Sequence, residues 1–158
     1  MIKYYNSMVV FEEIPNEITL AINITNCPCH CKGCHSPFLW EDVGTELTVE
    51  ELDKLIEKND GITTVCFMGG DRESNLVNDL AFYLKKSKKL KVGWYSGKND
   101  LSECISLKNF DYIKLGEYRE DFGGLDKETT NQRFYTVEDG EMKDKTFLFW
   151  KTKKGGNS

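Results

Sequence analysis

The chain has 158 residues, 39% hydrophobic and 30% charged, a balance that suits one soluble globular domain with a real core. Its net charge of −5 argues against a nucleic-acid-binding surface as the main function. No run is apolar enough to span a bilayer, and Met1-Ile2-Lys3-Tyr4-Tyr5-Asn6 carries no apolar signal core, so the expected setting is a reducing cytoplasm. There, clustered cysteines read as metal ligands rather than disulfides.

Val9-Val10-Phe11 is a short apolar strand, and Pro15-Asn16 is a turn. Residues 18–24 are β-branched, partly alternating, and form the next strand. This strand runs directly into Asn26-Cys27-Pro28-Cys29-His30-Cys31-Lys32-Gly33-Cys34-His35, which holds four of the six cysteines. Cys27, Cys31 and Cys34 are spaced C-x-x-x-C-x-x-C. That spacing can set three thiolates on one face of an iron–sulfur cube, whereas ferredoxin-type clusters use four cysteines. Three ligands leave one iron open, as catalysis at a metal requires. The same stretch can also make a closed tetrahedral zinc site, with Cys29, His30 or His35 completing it. Zinc modules usually add a second, distant C-x-x-C pair, and here Cys66 and Cys104 stand alone.

Pro37-Phe38-Leu39-Trp40 is a hydrophobic cover for the loop. Thr48-Val49-Glu50-Glu51 is a capping box opening a helix to about Lys58, with Leu52, Leu55 and Ile56 inward. Residues 62–68 are nearly all apolar, as in a buried parallel strand, and end in Gly69-Gly70-Asp71. Glycines at such a strand end let backbone approach a ligand. A second helix is predicted over 75–87, with basic residues 85–89 favoured at its end by the helix dipole. The third strand, 90–95, ends in Ser96-Gly97. A short helix over 100–107, carrying Cys104, precedes a fourth strand over 110–116. On that strand Asp111 and Lys114 must face opposite sides. Thr129-Thr130-Asn131-Gln132-Arg133 leads into a short strand, Phe134 to Val137, and Asp139-Gly140 is a turn. Residues 146–150 are a last apolar edge. One domain is expected over 1–150, with a flexible tail over 151–158.

The cysteine spacing and Gly69-Gly70-Asp71 one βα unit later resemble the radical S-adenosylmethionine (SAM) enzymes. The stretch 112–116 is a further specific part of that resemblance, and the Asn-Gln-Arg at 131–133 resembles the closing segment of one subgroup, the activating proteins of anaerobic ribonucleoside-triphosphate reductase. The resemblance covers roughly residues 18–135. It implies a 4Fe–4S cluster on Cys27, Cys31 and Cys34 whose free iron chelates SAM. It assigns SAM contacts to Gly69, Gly70 and Asp71, although the family usually has Glu where Asp71 stands. Ser96 and Lys114 follow as polar contacts, Lys114 for the SAM carboxylate. The family's aromatic residue before the third cysteine is Gly33 here, so adenine contact passes to the Gly33 backbone and the His35 ring.

The implied fold is α/β: an open partial (βα) barrel of the radical-SAM type, with about four to five βα units, since a closed eight-unit barrel needs about 200–250 residues. An open barrel suits a protein substrate that seals the gap itself. The implied activity is glycyl-radical installation on the large reductase subunit, driven by a reduced flavodoxin or ferredoxin-type electron donor. No nucleic acid or membrane is an expected partner. Activation of another glycyl-radical enzyme is the neighbouring reading. A zinc-stabilised interaction module without catalysis is the reading from a different class.

Overall fold

A computed structural model describes residues 1–28 and 37–150. Strand β1 (Lys3–Val10) pairs antiparallel with β2 (Thr19–Ile24), which ends at the cysteine-rich stretch. After a 3-10 turn at Pro37–Trp40 come β3 (Thr45–Glu46), α1 (Val49–Glu57) and β4 (Thr64–Met68). Helix α2 (Ser74–Tyr83) winds into a π turn at Leu84–Lys88 and leads to β5 (Lys91–Tyr95). β6 (Tyr112–Leu115), β7 (Arg133–Glu138) and β8 (Glu141–Asp144) complete the sheet. The strand order is β3-β1-β2-β4-β5-β6-β7-β8, and only β2, β4, β5 and β6 run parallel.

This architecture corrects the expected fold. The chain forms an open mixed sheet, not a (βα) barrel of four to five units. β1 and β3 on one side, and β7 and β8 on the other, run antiparallel to their neighbours and give the sheet two edges. Among the described residues there are two α-helices, both short. The helix expected over 100–107 does not form. Eight residues are marginal for a helix, and the two serines bond elsewhere. Ser102 Oγ accepts the Cys104 N–H at 3.2 Å, and the Ser106 N–H goes to Asn78 Oδ1 at 2.8 Å.

Both helices cover one sheet face. Leu52 and Leu55 of α1, with Val77, Leu80 and Ala81 of α2, pack in one cluster with Leu20, Ile22, Ile24, Val65, Phe67, Val92, Trp94, Ile113 and Leu115. Thr48 caps α1 as predicted, accepting the Glu51 N–H at 3.1 Å. The Glu51 carboxylate, however, accepts the Tyr4 hydroxyl and pins α1 to β1. On the other face a small cluster holds Ile14, Cys66, Tyr95 and Phe134. The Asp139-Gly140 turn is present, both residues at positive φ (53° and 78°), the type I′ geometry that joins β7 to β8.

At the amino ends of the parallel strands sits one buried carboxylate, Glu17. It accepts hydrogen bonds from Thr63 Oγ1 (2.6 Å), Thr64 Oγ1 (3.0 Å), Lys91 Nζ (2.9 Å) and the Tyr112 hydroxyl. Those donors stand at or beside the first residues of β4, β5 and β6, so one side chain fixes three strand starts against the entry to β2. Burial pushes the Glu17 carboxyl up, but the bonds from Thr63, Tyr112, Lys91 and Thr64 outweigh it and hold it at about 2. A depressed carboxyl stabilises the fold above its unfolded value, 4.5, and that contribution is lost as pH falls through about 2. Urea unfolding should therefore show stability falling between these two values. Glu17→Gln should flatten that dependence and cost about 1–3 kcal/mol at neutral pH.

Candidate metal centre

The carboxyl ends of β2, β4, β5 and β6 converge on one rim. Ile24 is followed by Thr25, by Asn26 in the left-handed region (φ 60°), and by Cys27. The Thr25 N–H bonds Lys3 O, the Asn26 N–H bonds Glu41 O, and the Cys27 N–H bonds Leu39 O, each at 2.9 Å. The backbone entering the cysteine stretch is thus held by β1 and by the 3-10 turn expected to cover it. Cys27 is half-buried and outside any disulfide. Cys31, Gly33, Cys34 and His35, with Cys29 and His30, lie outside the described residues, as does the tail at 151–158. Among the described residues no group of three or more His, Cys, Asp or Glu could hold a metal ion.

Gly69 and Gly70 both have positive φ, 107° and 92°. A Cβ on Gly70 would come within 2.6 Å of Val77 Cγ2, and one on Gly69 within 3.3 Å of Ile24 O. Glycine is required here by backbone conformation and by closeness to the end of β2. The Gly69 N–H donates to Tyr95 O at 2.9 Å, and Gly69 O accepts Trp94 Nε1 at 2.7 Å. Asp71 is buried; its Oδ1 accepts the Ser96 hydroxyl and its Oδ2 the Gly97 N–H at 2.9 Å. Asp71 and Ser96, two predicted site residues, are therefore brought together, and their mutual bond ties the end of β4 to the end of β5.

Lys114 lies on the face away from the helices. Its ammonium donates to Gly116 O at 3.0 Å and stands 5.9 Å from the Tyr95 ring centroid. Asp111 points to the opposite face, where it pairs with Lys85 at 2.8 Å, as the strand parity requires. Lys114 lines an open cavity of about 460 Å³ with Glu13, Tyr95, Asp126 and Gln132. The Tyr95 hydroxyl donates to Glu13 O, and burial, then the Glu12 charge, raises the Glu13 carboxyl. Cys66 lies fully buried on this side, packed with Ile14, Tyr95 and Phe134. Burial, with help from Glu13, pushes its thiol well above the usual value against the opposing pull of Lys114. With no exposed surface and apolar neighbours, Cys66 is core.

Thr130, Asn131 and Gln132 act on the turn after β6. Gln132 Nε2 reaches Gly116 O at 3.4 Å, Asn131 Nδ2 reaches Glu117 O at 3.1 Å, and Thr130 Oγ1 accepts the Gln132 N–H at 3.0 Å. Gly116, at φ 116°, passes so close that a Cβ would meet Gln132 Cα at 2.9 Å. Sequence reasoning missed Arg72. Its Nε donates to Asn26 O at 3.1 Å, placing a guanidinium at the residue before Cys27. No spacing signal marks it. A positive charge there would help to balance a negatively charged cluster.

The residues present fit a cluster: half-buried Cys27 opens the cysteine stretch, and the Arg72 guanidinium bonds the carbonyl of the residue before it. The model of a family described as "4Fe-4S single cluster domain" matches residues 18–113. No curated protein and no solved structure matches the chain. Substituting Gly70→Ala should cost about 1–3 kcal/mol through the left-handed backbone and the Val77 contact, read as a lowered Tm. Asp71→Ala should be at least as costly, because the Ser96 hydroxyl and Gly97 N–H lose a buried acceptor.

Proposed function

The chain belongs to the 4Fe-4S single cluster domain family, and from that premise we propose that it is a radical-SAM activase of anaerobic ribonucleoside-triphosphate reductase. The observation that carries the proposal is the C-x-x-x-C-x-x-C spacing, begun by Cys27 on a rim shared with the Gly69-Gly70 backbone. Cys27, Cys31 and Cys34 would hold the cluster and leave one iron open for SAM. Loaded with the cluster and given one electron by a reduced flavodoxin or ferredoxin-type donor, the site would supply the reductive cleavage of SAM needed to install a glycyl radical on the reductase.

This chain's own residues bind, orient and shield. Gly69 and Gly70, held at positive φ with their backbone packed on Ile24 and Val77, shape the rim on which SAM would lie. Asp71 acts through the rim: with both oxygens engaged by Ser96 and Gly97, it sets the shape of the pocket wall. Gly33 and His35 remain the residues proposed for adenine. Lys114 offers a cation on the face the helices leave open, suited to the SAM carboxylate. That open face is where a protein substrate has access.

Anaerobic purification with iron and sulfide analysis tests the cluster. Ser substitution at Cys27, Cys31 or Cys34 should remove nearly all iron and sulfide, while Cys29→Ser and Cys104→Ser should keep them. With a strong reductant, the loaded protein should convert SAM to methionine and 5′-deoxyadenosine, and should raise a glycyl-radical signal on the reductase. Tight zinc without sulfide would overturn the cluster reading. Intact SAM beside a full cluster would overturn the enzyme reading. A radical signal on a different glycyl-radical enzyme alone would move the partner.

A further inference from the structure

From residue 82 to residue 91 the chain holds five lysines and no acidic residue, and Lys108 joins them across a shared cavity. These are six of the 21 basic residues in a chain of net charge −5, so the rest of the chain is correspondingly more acidic. Three of the six are engaged within the fold: Lys85 on Asp111 at 2.8 Å, Lys88 on Asp53 at 3.4 Å and Lys91 on Glu17 at 2.9 Å. Lys86, Lys89 and Lys108 are exposed and have no ion pair among the described residues. Phe82, 49% exposed, lies under the Lys86 ammonium, 5.8 Å from its ring centroid. With Lys85, Lys86, Lys108 and Asn109 it lines a cavity of about 250 Å³. A solvated helix end needs no exposed aromatic ring, whereas a docking surface uses such a ring at its centre and charges at its rim.

We infer that this corner, built from the end of α2 and the turn before β6, docks an acidic segment of the protein substrate, with an apolar side chain on Phe82 and carboxylates on Lys86 and Lys108. The inference rests on the reading that the substrate is the large reductase subunit. Charge fixes the sign of the partner: three free cations on an otherwise acidic chain attract a carboxylate-rich surface to this corner and repel it elsewhere. Placement selects the substrate over the electron donor. The corner precedes the starts of β5 and β6, whereas Cys27 follows the carboxyl end of β2. The five residues of β4 and β5 set these two ends roughly 16 Å apart, before the depth of a donor's own redox group is added. A carrier docked here would be badly placed to pass its electron, while a large protein can reach both ends at once. A nucleic acid is disfavoured as well, because its phosphates would run beyond three lysines onto acidic surface. Standing far from the rim, the corner acts on capture of the substrate and not on the chemistry. It therefore sets affinity and its salt dependence, and leaves the saturated rate alone.

Calorimetric titration of the full, anaerobically loaded chain with the reductase, at low and at physiological salt, tests this. Wild-type binding should weaken as salt rises. Lys86→Glu combined with Lys108→Glu should weaken binding about tenfold or more and remove most of the salt dependence. Lys86→Arg combined with Lys108→Arg should keep both. Phe82→Ala should weaken binding about tenfold and leave the salt dependence in place. All three side chains are exposed, so iron, sulfide and circular dichroism should match wild type, as should the glycyl-radical yield at saturating reductase. Charge-reversed chains that bind like wild type would overturn the inference and leave the activase reading standing. A wild-type chain that does not bind the reductase would overturn the partner reading, and the inference with it. Variants whose only defect is slower reduction of the cluster by reduced flavodoxin, or lost binding to duplex DNA, would also overturn it by giving the corner to another partner.

Discussion

A buried carboxylate stands at each end of the parallel strands, and the geometry of the rim depends on both. Glu17 gathers donors from the starts of β4, β5 and β6, and Asp71 ties the end of β4 to the loop after β5. Ions so enclosed are tolerated only when their oxygens are fully used. Between these ties the hydrophobic layer under α1 and α2 supplies cohesion without direction. The carboxylates supply the direction: they fix how far one strand slides along the next. That offset decides where Cys27, Gly69 and Ser96 come to stand relative to one another.

The two faces of the sheet divide the work. Helices bury one face in a continuous apolar layer. The other holds a small cluster around Tyr95 and Phe134, plugged by Ile14, whose Cδ1 would lie 2.9 Å from a Cβ on Gly93. Around that plug the groups are polar: Lys114, Glu13 and Gln132 line an open cavity. Arg72 adds positive charge where the cysteine stretch begins. In this arrangement the apolar layer and the open cavity lie on opposite sides of the same four strands.

The parallel strands were legible because they are nearly all apolar, and α1 because Thr48 and its apolar spacing mark it. The ends of the fold were not. β3 and β8 are short and polar, with no periodic apolar face, and the first half of β1 alternates too weakly to extend the strand back to Lys3. Without those antiparallel strands, alternating strand and helix segments read as a run of βα units. At the rim, the glycines at 69 and 70 were read as a close backbone approach to a ligand, and the close approach observed is to Ile24 and Val77. The partnership of Asp71 with Ser96 was not, because 25 residues separate them and only the register of β4 on β5 joins them. Arg72 escaped for the same reason. The Thr-Asn-Gln run proved to be a set of side-chain bonds to the turn after β6.

The proposed chemistry requires that three thiolates leave one iron for SAM to bind. Mössbauer spectra of the anaerobic protein, loaded with enriched iron and recorded with and without SAM, address it directly. One iron site in four should change its parameters when SAM is added, while the other three keep theirs. Four equivalent thiolate-bound sites that ignore SAM would contradict it.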